Sequence, residues 1–248
     1  MSIIFEHPLK EHIKVLLRLE RLFADLDNQM RFGTDPGLVL SLMAAIIRGL
    51  ERPDLKSKLT NILHQQHLHL KLFANNPSIE QNKLNTMLSK IEKKLSLLKS
   101  HNSMSAFMPE PHPLMKKYQA ELVSHGAVAL VADPMFFAWD EIKLDDAVLL
   151  LNNWRLELDE LLSIIQLILS LIRQGKSFQT VECNSHFYNH TFNSEISMIR
   201  VRLPKGVYPE FCAGGRRIGI RFLELKFLGP KINTKEIAIN KFDISFCI

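Results

Sequence analysis

The sequence predicts an α+β fold, with an N-terminal helical bundle domain followed by a mainly antiparallel β-sheet domain with a basic face. Three observations carry this. Apolar residues recur at helical spacing from Phe5 to about Ser100. After Gly175 the texture turns to short β-branched and aromatic runs separated by turn-formers. The charge is also uneven. From Lys176 onward six Lys and five Arg face five Glu and one Asp, a surplus of five that equals the net +5 of the whole chain. Residues 1–175 are therefore balanced, and the asymmetry points to an anionic partner docking on the C-terminal third.

Each element follows in order. Leu9, Ile13, Leu16 and Leu17 mark a first helix, and Leu55, Leu59, Ile62 and Leu63 a third. Pro8 and Pro36 suit first helical positions, with Asp35 capping the latter. Ser78 and Gln81 form a capping box for a fourth helix that buries Leu84, Met87, Leu88, Ile91 and Leu95. The stretch 101–113 holds three prolines and no periodicity, so it is a connector. A short helix is predicted near Leu114–Val123, then a hairpin-like piece or a strand and turn over 126–139. A long apolar helix over Leu144–Gln174 stops at Gly175. The predicted division is a helical domain of 1–100 and 143–175 and a β-domain of 101–142 and 176–248, part of 101–142 being the connector.

Composition narrows the function. At 248 residues, 46% hydrophobic and 23% charged, the chain suits a globular protein of one or two domains. The most apolar window, Leu161–Ile172, is too short to span a bilayer, and the start lacks a secretory pattern. Cys183, Cys212 and Cys247 are widely spaced, which suits a reducing cytosol. No GxSxG, Walker or GxGxxG pattern occurs, so neither an enzyme nor a cofactor is expected. His64, His67 and His69 in "HQQHLH" lack a nearby carboxylate. They read as solvated helix residues, and no metal is expected.

The candidate site lies in "GGRRIGIRF", residues 214–222. Strand side chains alternate, so Arg217, Gly219 and Arg221 face one way and Ile218, Ile220 and Phe222 the other. "IRVRL" repeats the design with Arg200 and Arg202. If the two strands are neighbours, the four arginines share a face, with Arg216 and Lys205 near its rim. Like charges set opposite one another destabilise a sheet, and a guanidinium fork grips carboxylates or phosphates. The face therefore reads as a binding surface for an acidic partner. The alternative is a nucleic-acid-binding sheet. Such platforms interleave aromatics with basic residues, and Phe222 lies on the apolar parity instead.

Four stretches resemble one family: "FEHPLKEHIKVLLRLERL" (5–22), "LIRQGKSFQ" (171–179), "FYNHTFNSEISMIRVRLPKGVYPEF" (187–211) and "GGRRIGIRFLEL" (214–225). Together they are similar to the bacterial Z-ring-associated protein D (ZapD) family. The resemblance implies a non-enzymatic homodimer with a helical and a β-domain, in the cytoplasm at the midcell division site. It implies binding of the C-terminal tail of FtsZ and bundling of FtsZ filaments. Tail-binding arginines of the family fall on Arg217 and Arg221, and a further one on Arg52, which Pro53 follows.

Overall fold

The computed structural model describes residues 2–32, 35–74, 76, 80–104, 107, 113–125, 134–142, 144–192, 196–228 and 231–248. By internal contacts the chain forms two compact units, Val15–Ile168 and Met1–Lys14 with Leu169–Ile248. The predicted division differs in three places. Residues 1–14 and 169–175 group with the strands, and 101–142 fall in the span of the helical unit.

The helices are α1 (Glu11–Phe32), α2 (Pro36–Leu50), α3 (Leu55–Lys71), α4 (Gln81–Ser100), α5 (Pro113–His125), α6 (Pro134–Asp140), α7 (Leu144–Glu157) and α8 (Asp159–Gln174). Their apolar stripes are buried as the periodicity requires, with Leu16, Leu19, Phe23 and Leu26 on α1 and Leu55, Leu59 and Leu63 on α3. Asp35 caps α2, accepting from Gly37 N–H at 2.9 Å and Leu38 N–H at 3.2 Å, and Pro36 opens the helix.

Three predicted details are corrected. The N-cap of α4 is Glu80, which makes no side-chain capping bond, while Gln81 Nε2 donates to the Asn76 carbonyl. Ser78 lies outside the described residues. Pro134 opens a helix, not a turn after a strand, and 126–133 lie outside the described residues. The helix over 144–174 breaks at Leu158, whose N–H bonds the Arg155 carbonyl at 3.1 Å in a tight turn. Asp159 and Glu160 then occupy the first turn of α8, where acidic groups favour a helix start.

The strands are β1 (Ser2–Pro8), β2 (Gln179–Ser185), β3 (Phe187–Thr191), β4 (Met198–Pro204), β5 (Val207–Gly214), β6 (Arg217–Leu228), β7 (Lys231–Glu236) and β8 (Ile239–Cys247). They form two antiparallel sheets, β1-β4-β8-β2 and β3-β6-β5, with β7 also paired to β6. Pro8 thus ends a strand instead of starting a helix. Residues 2–8 alternate, so Phe5 packs on the core and His7 stacks on Phe211 while Glu6 points outward. The two sheets share one core. Ile199, Val201 and Leu203 meet Ile218, Ile220 and Phe222, and the Phe222 and Phe242 rings lie 5.1 Å apart.

Two glycines steer this topology. Gly206 (φ 94°) sits in the turn that carries the chain from the first sheet to the second. Gly215 (φ 58°) takes the first central position of the two-residue turn joining β5 to β6.

Candidate functional site

The two arginine strands are not neighbours. β4 lies in the first sheet and β6 in the second. Their apolar residues face each other across the core, so their arginines point outward on opposite sides of the sandwich. The predicted shared face of Arg200, Arg202, Arg217 and Arg221 does not exist. Lys205 is displaced as well. It follows β4 and precedes Val207, which pairs with Glu224, whereas Arg217 pairs with Gly214. Seven residues of β6 separate those ends, about 23 Å at strand rise.

On the first sheet the register sets a carboxylate beside each arginine. Glu6 of β1 is paired with Arg200 and Asp243 of β8 with Arg202. Arg200 Nε donates to Glu6 Oε1 at 3.0 Å and its Nη1 to the Arg173 carbonyl at 3.0 Å. Arg173 adds a two-pronged contact to the same carboxylate at 2.8 and 2.6 Å. Arg202 Nη1 donates to Asp243 Oδ2 at 3.0 Å. Both guanidinium groups lie over the Phe178 ring, at 5.1 and 4.2 Å. Each of these guanidinium groups thus has a carboxylate partner within the first sheet, and neither lies on the sheet that carries Arg217 and Arg221.

The second sheet presents a different surface. Arg217, Gly219 and Arg221 are flanked by Thr191, Asn189 and Phe187 of β3 and by Gly214, Cys212 and Glu210 of β5. Arg221 contacts Glu210 at 3.2 Å and Glu236 at 3.4 Å, and Glu236 also lies 3.4 Å from His186. Arg217 and Arg216 are exposed, and their side chains make no ion pair among the described residues. The Phe187 ring covers Gly219 so closely that a Cβ there would stand 2.8 Å from its Cζ. An aromatic therefore shares the arginine face, supplied by the neighbouring strand. The parity of β6 alone, with Phe222 buried, hid it.

Other predicted residues belong to the helical unit. Arg52 is exposed after α2 and lines a cavity of ≈ 520 Å³ with Arg18 and Arg48, above walls that include Val15, Leu19 and Ala44. Within the histidine cluster, His64 and His69 are exposed, but His67 is buried and its Nε2 lies 2.8 Å from Glu92 Oε1 on α4. The prediction of three solvated histidines fails at His67, because the missing carboxylate comes from the next helix. Among the described residues no group of His, Cys, Asp and Glu is placed to hold a metal ion, and no helix is long and apolar enough to cross a membrane.

The family model ZapD, described as a cell division protein, matches residues 17–221. A protein from Coxiella burnetii (strain RSA 331 / Henzerling II), named cell division protein ZapD, is 30% identical, covering 96% of this chain and 94% of its own. Proteins of the same name from Azoarcus sp. (strain BH72) and Serratia proteamaculans (strain 568) are 27% and 25% identical, over 98% and 90% of this chain and the same shares of their own. The chain belongs to the ZapD family of cell division proteins.

Proposed function

We propose that this protein binds the C-terminal tail of FtsZ through Arg217 and Arg221, with Arg216 beside them and Arg52 of the helical unit as a further contact. As a homodimer it then crosslinks FtsZ filaments at midcell, acting by binding and not by catalysis. One observation carries the reading: Arg217 is a solvent-facing guanidinium with no counter-charge among the described residues, on a strand whose opposite face is anchored in the core. Such a group costs nothing to desolvate from an internal pair before it meets a ligand carboxylate, with which it forms two parallel hydrogen bonds.

Arg221 is compatible with the same role. Its carboxylate partners are about half exposed, and exposed pairs contribute roughly 0–1 kcal/mol. A ligand carboxylate therefore competes with them on nearly equal terms. A single peptide contact of this kind is weak. Two copies on one dimer reach two filaments, and effective concentration along a polymer converts weak sites into bundling.

Co-sedimentation with assembled FtsZ tests the proposal. The double variant Arg217→Ala with Arg221→Ala is expected to stay in the supernatant while its circular dichroism remains native. Pelleting at the wild-type level would remove these residues from the interface. A labelled tail peptide and a labelled oligonucleotide, titrated in parallel, separate this reading from nucleic-acid binding.

A further inference from the structure

Phe187 is among the exposed large apolar side chains; its backbone pairs with Arg221, and its ring reaches over Gly219, between Arg217 and Arg221. Arg217, Gly219 and Arg221 occupy alternate positions of one strand, so successive same-face positions are about 6.6 Å apart and the arginines about 13 Å. The Phe187 ring fills the notch over Gly219, midway along that line. An extended peptide has the same repeat as the strand beneath it. A carboxylate seated on Arg217 therefore brings the side chain two residues away over the Phe187 ring, and one four residues away to Arg221.

The two ends of this line are not equivalent. Arg221 already faces Glu210 and Glu236, whereas Arg217 faces Gly214 and Thr191. A ligand carboxylate meets less competition at Arg217, and the aromatic contact lies one same-face position further along, over Gly219. Arginines alone recognise charge; charge and an aromatic at fixed spacing recognise order.

We propose that Phe187 is a specificity-determining contact of this face, selecting extended peptides that carry a carboxylate two residues from an apolar side chain. This rests on the tail-binding reading and adds a sequence rule to it. Phe187 also shields Gly219, a structural role that truncation alone would disturb. The test therefore reads the order of residues in the ligand.

Two labelled synthetic peptides of identical composition are titrated against the full chain by fluorescence anisotropy. One has the core Asp-Ser-Leu-Ser-Asp; the other has Asp-Leu-Ser-Ser-Asp, with the leucine shifted by one position. The wild type is expected to prefer the first by about tenfold, the effect of burying one apolar side chain in part. Phe187→Ala abolishes that preference, and Phe187→Leu, which still covers Gly219, retains part of it. Equal binding of the two peptides by the wild type overturns the inference, as does a preference that survives in Phe187→Ala. If Arg217→Ala meanwhile weakens both peptides, tail binding stands and only the aromatic rule falls. A wild type that binds neither peptide overturns both.

Discussion

Strands β4 and β6 carry the same sequence design, arginines alternating with apolar residues, yet their arginines meet opposite fates. In β4 the flanking strands bring Glu6 and Asp243 into register with Arg200 and Arg202, and Phe178 covers both guanidinium groups. In β6 the residues opposite Arg217 are Thr191 and Gly214, and among the described residues no carboxylate pairs with it. Alternation decides which way a side chain points. The cross-strand partner decides whether it is structural or available. Burial deepens the contrast, since Arg200 and Glu6 are 15% and 18% exposed whereas Arg221 is 45% exposed.

The largest expected effect tests the structural side of this contrast. Arg200→Ala removes one of the two guanidinium partners of Glu6 and the bond to the Arg173 carbonyl, and losing such inner charge-assisted bonds costs about 2 kcal/mol. Arg217→Ala is expected to change stability by no more than about 0.5 kcal/mol. Urea denaturation followed by circular dichroism measures both, and equal losses would erase the contrast. Next in size is salt. Co-sedimentation with FtsZ should weaken as ionic strength rises, because exposed charge pairs are screened, and insensitivity would argue for an apolar interface.

Smaller effects sharpen the picture. Glu210→Gln removes one competitor for Arg221 and is expected to tighten tail binding by up to about fivefold, the range of an exposed pair. Weakened binding in that variant would make Glu210 part of the recognition surface. The smallest effect concerns the inner faces of the sheets. Burial, with a contribution from Lys14, lowers the pKa of His7, which stacks on Phe211 at 4.5 Å. Below its ordinary value of about 6.5 the unfolded chain takes up a proton that the folded imidazole resists. The contribution of His7 is thus complete above about pH 6.5 and declines as the pH falls. His7→Phe should flatten that part of the stability profile, and an unchanged profile would place the titration elsewhere.

Much of the fold is written in local patterns. The helical stripe of α1, the Asp35 cap and the alternation of β4 and β6 depend on residues within a turn or two of one another. What was illegible depends on distant pairing. Nothing near Arg200 announces Glu6, which lies 194 residues away, and nothing near His67 announces Glu92 on another helix. β1 is hidden in the sequence because Phe5 and Leu9 also fit the helical period that follows, and seven residues are too few to separate a period of two from one of 3.6. The position of Phe187 is hidden for the same reason as the sheet pairing. Its place beside Arg221 exists only once β3 pairs with β6.

The most direct test of the account is a tail-binding titration of two matched variants, Arg202→Gln in β4 and Arg217→Gln in β6. Each removes one arginine charge, so nonspecific electrostatics predicts equal losses. Arg217→Gln is expected to weaken binding of the labelled FtsZ tail peptide by about tenfold or more, the worth of charge-assisted hydrogen bonds, while Arg202→Gln binds as the wild type does. Equal weakening, or a loss confined to Arg202→Gln, would contradict it.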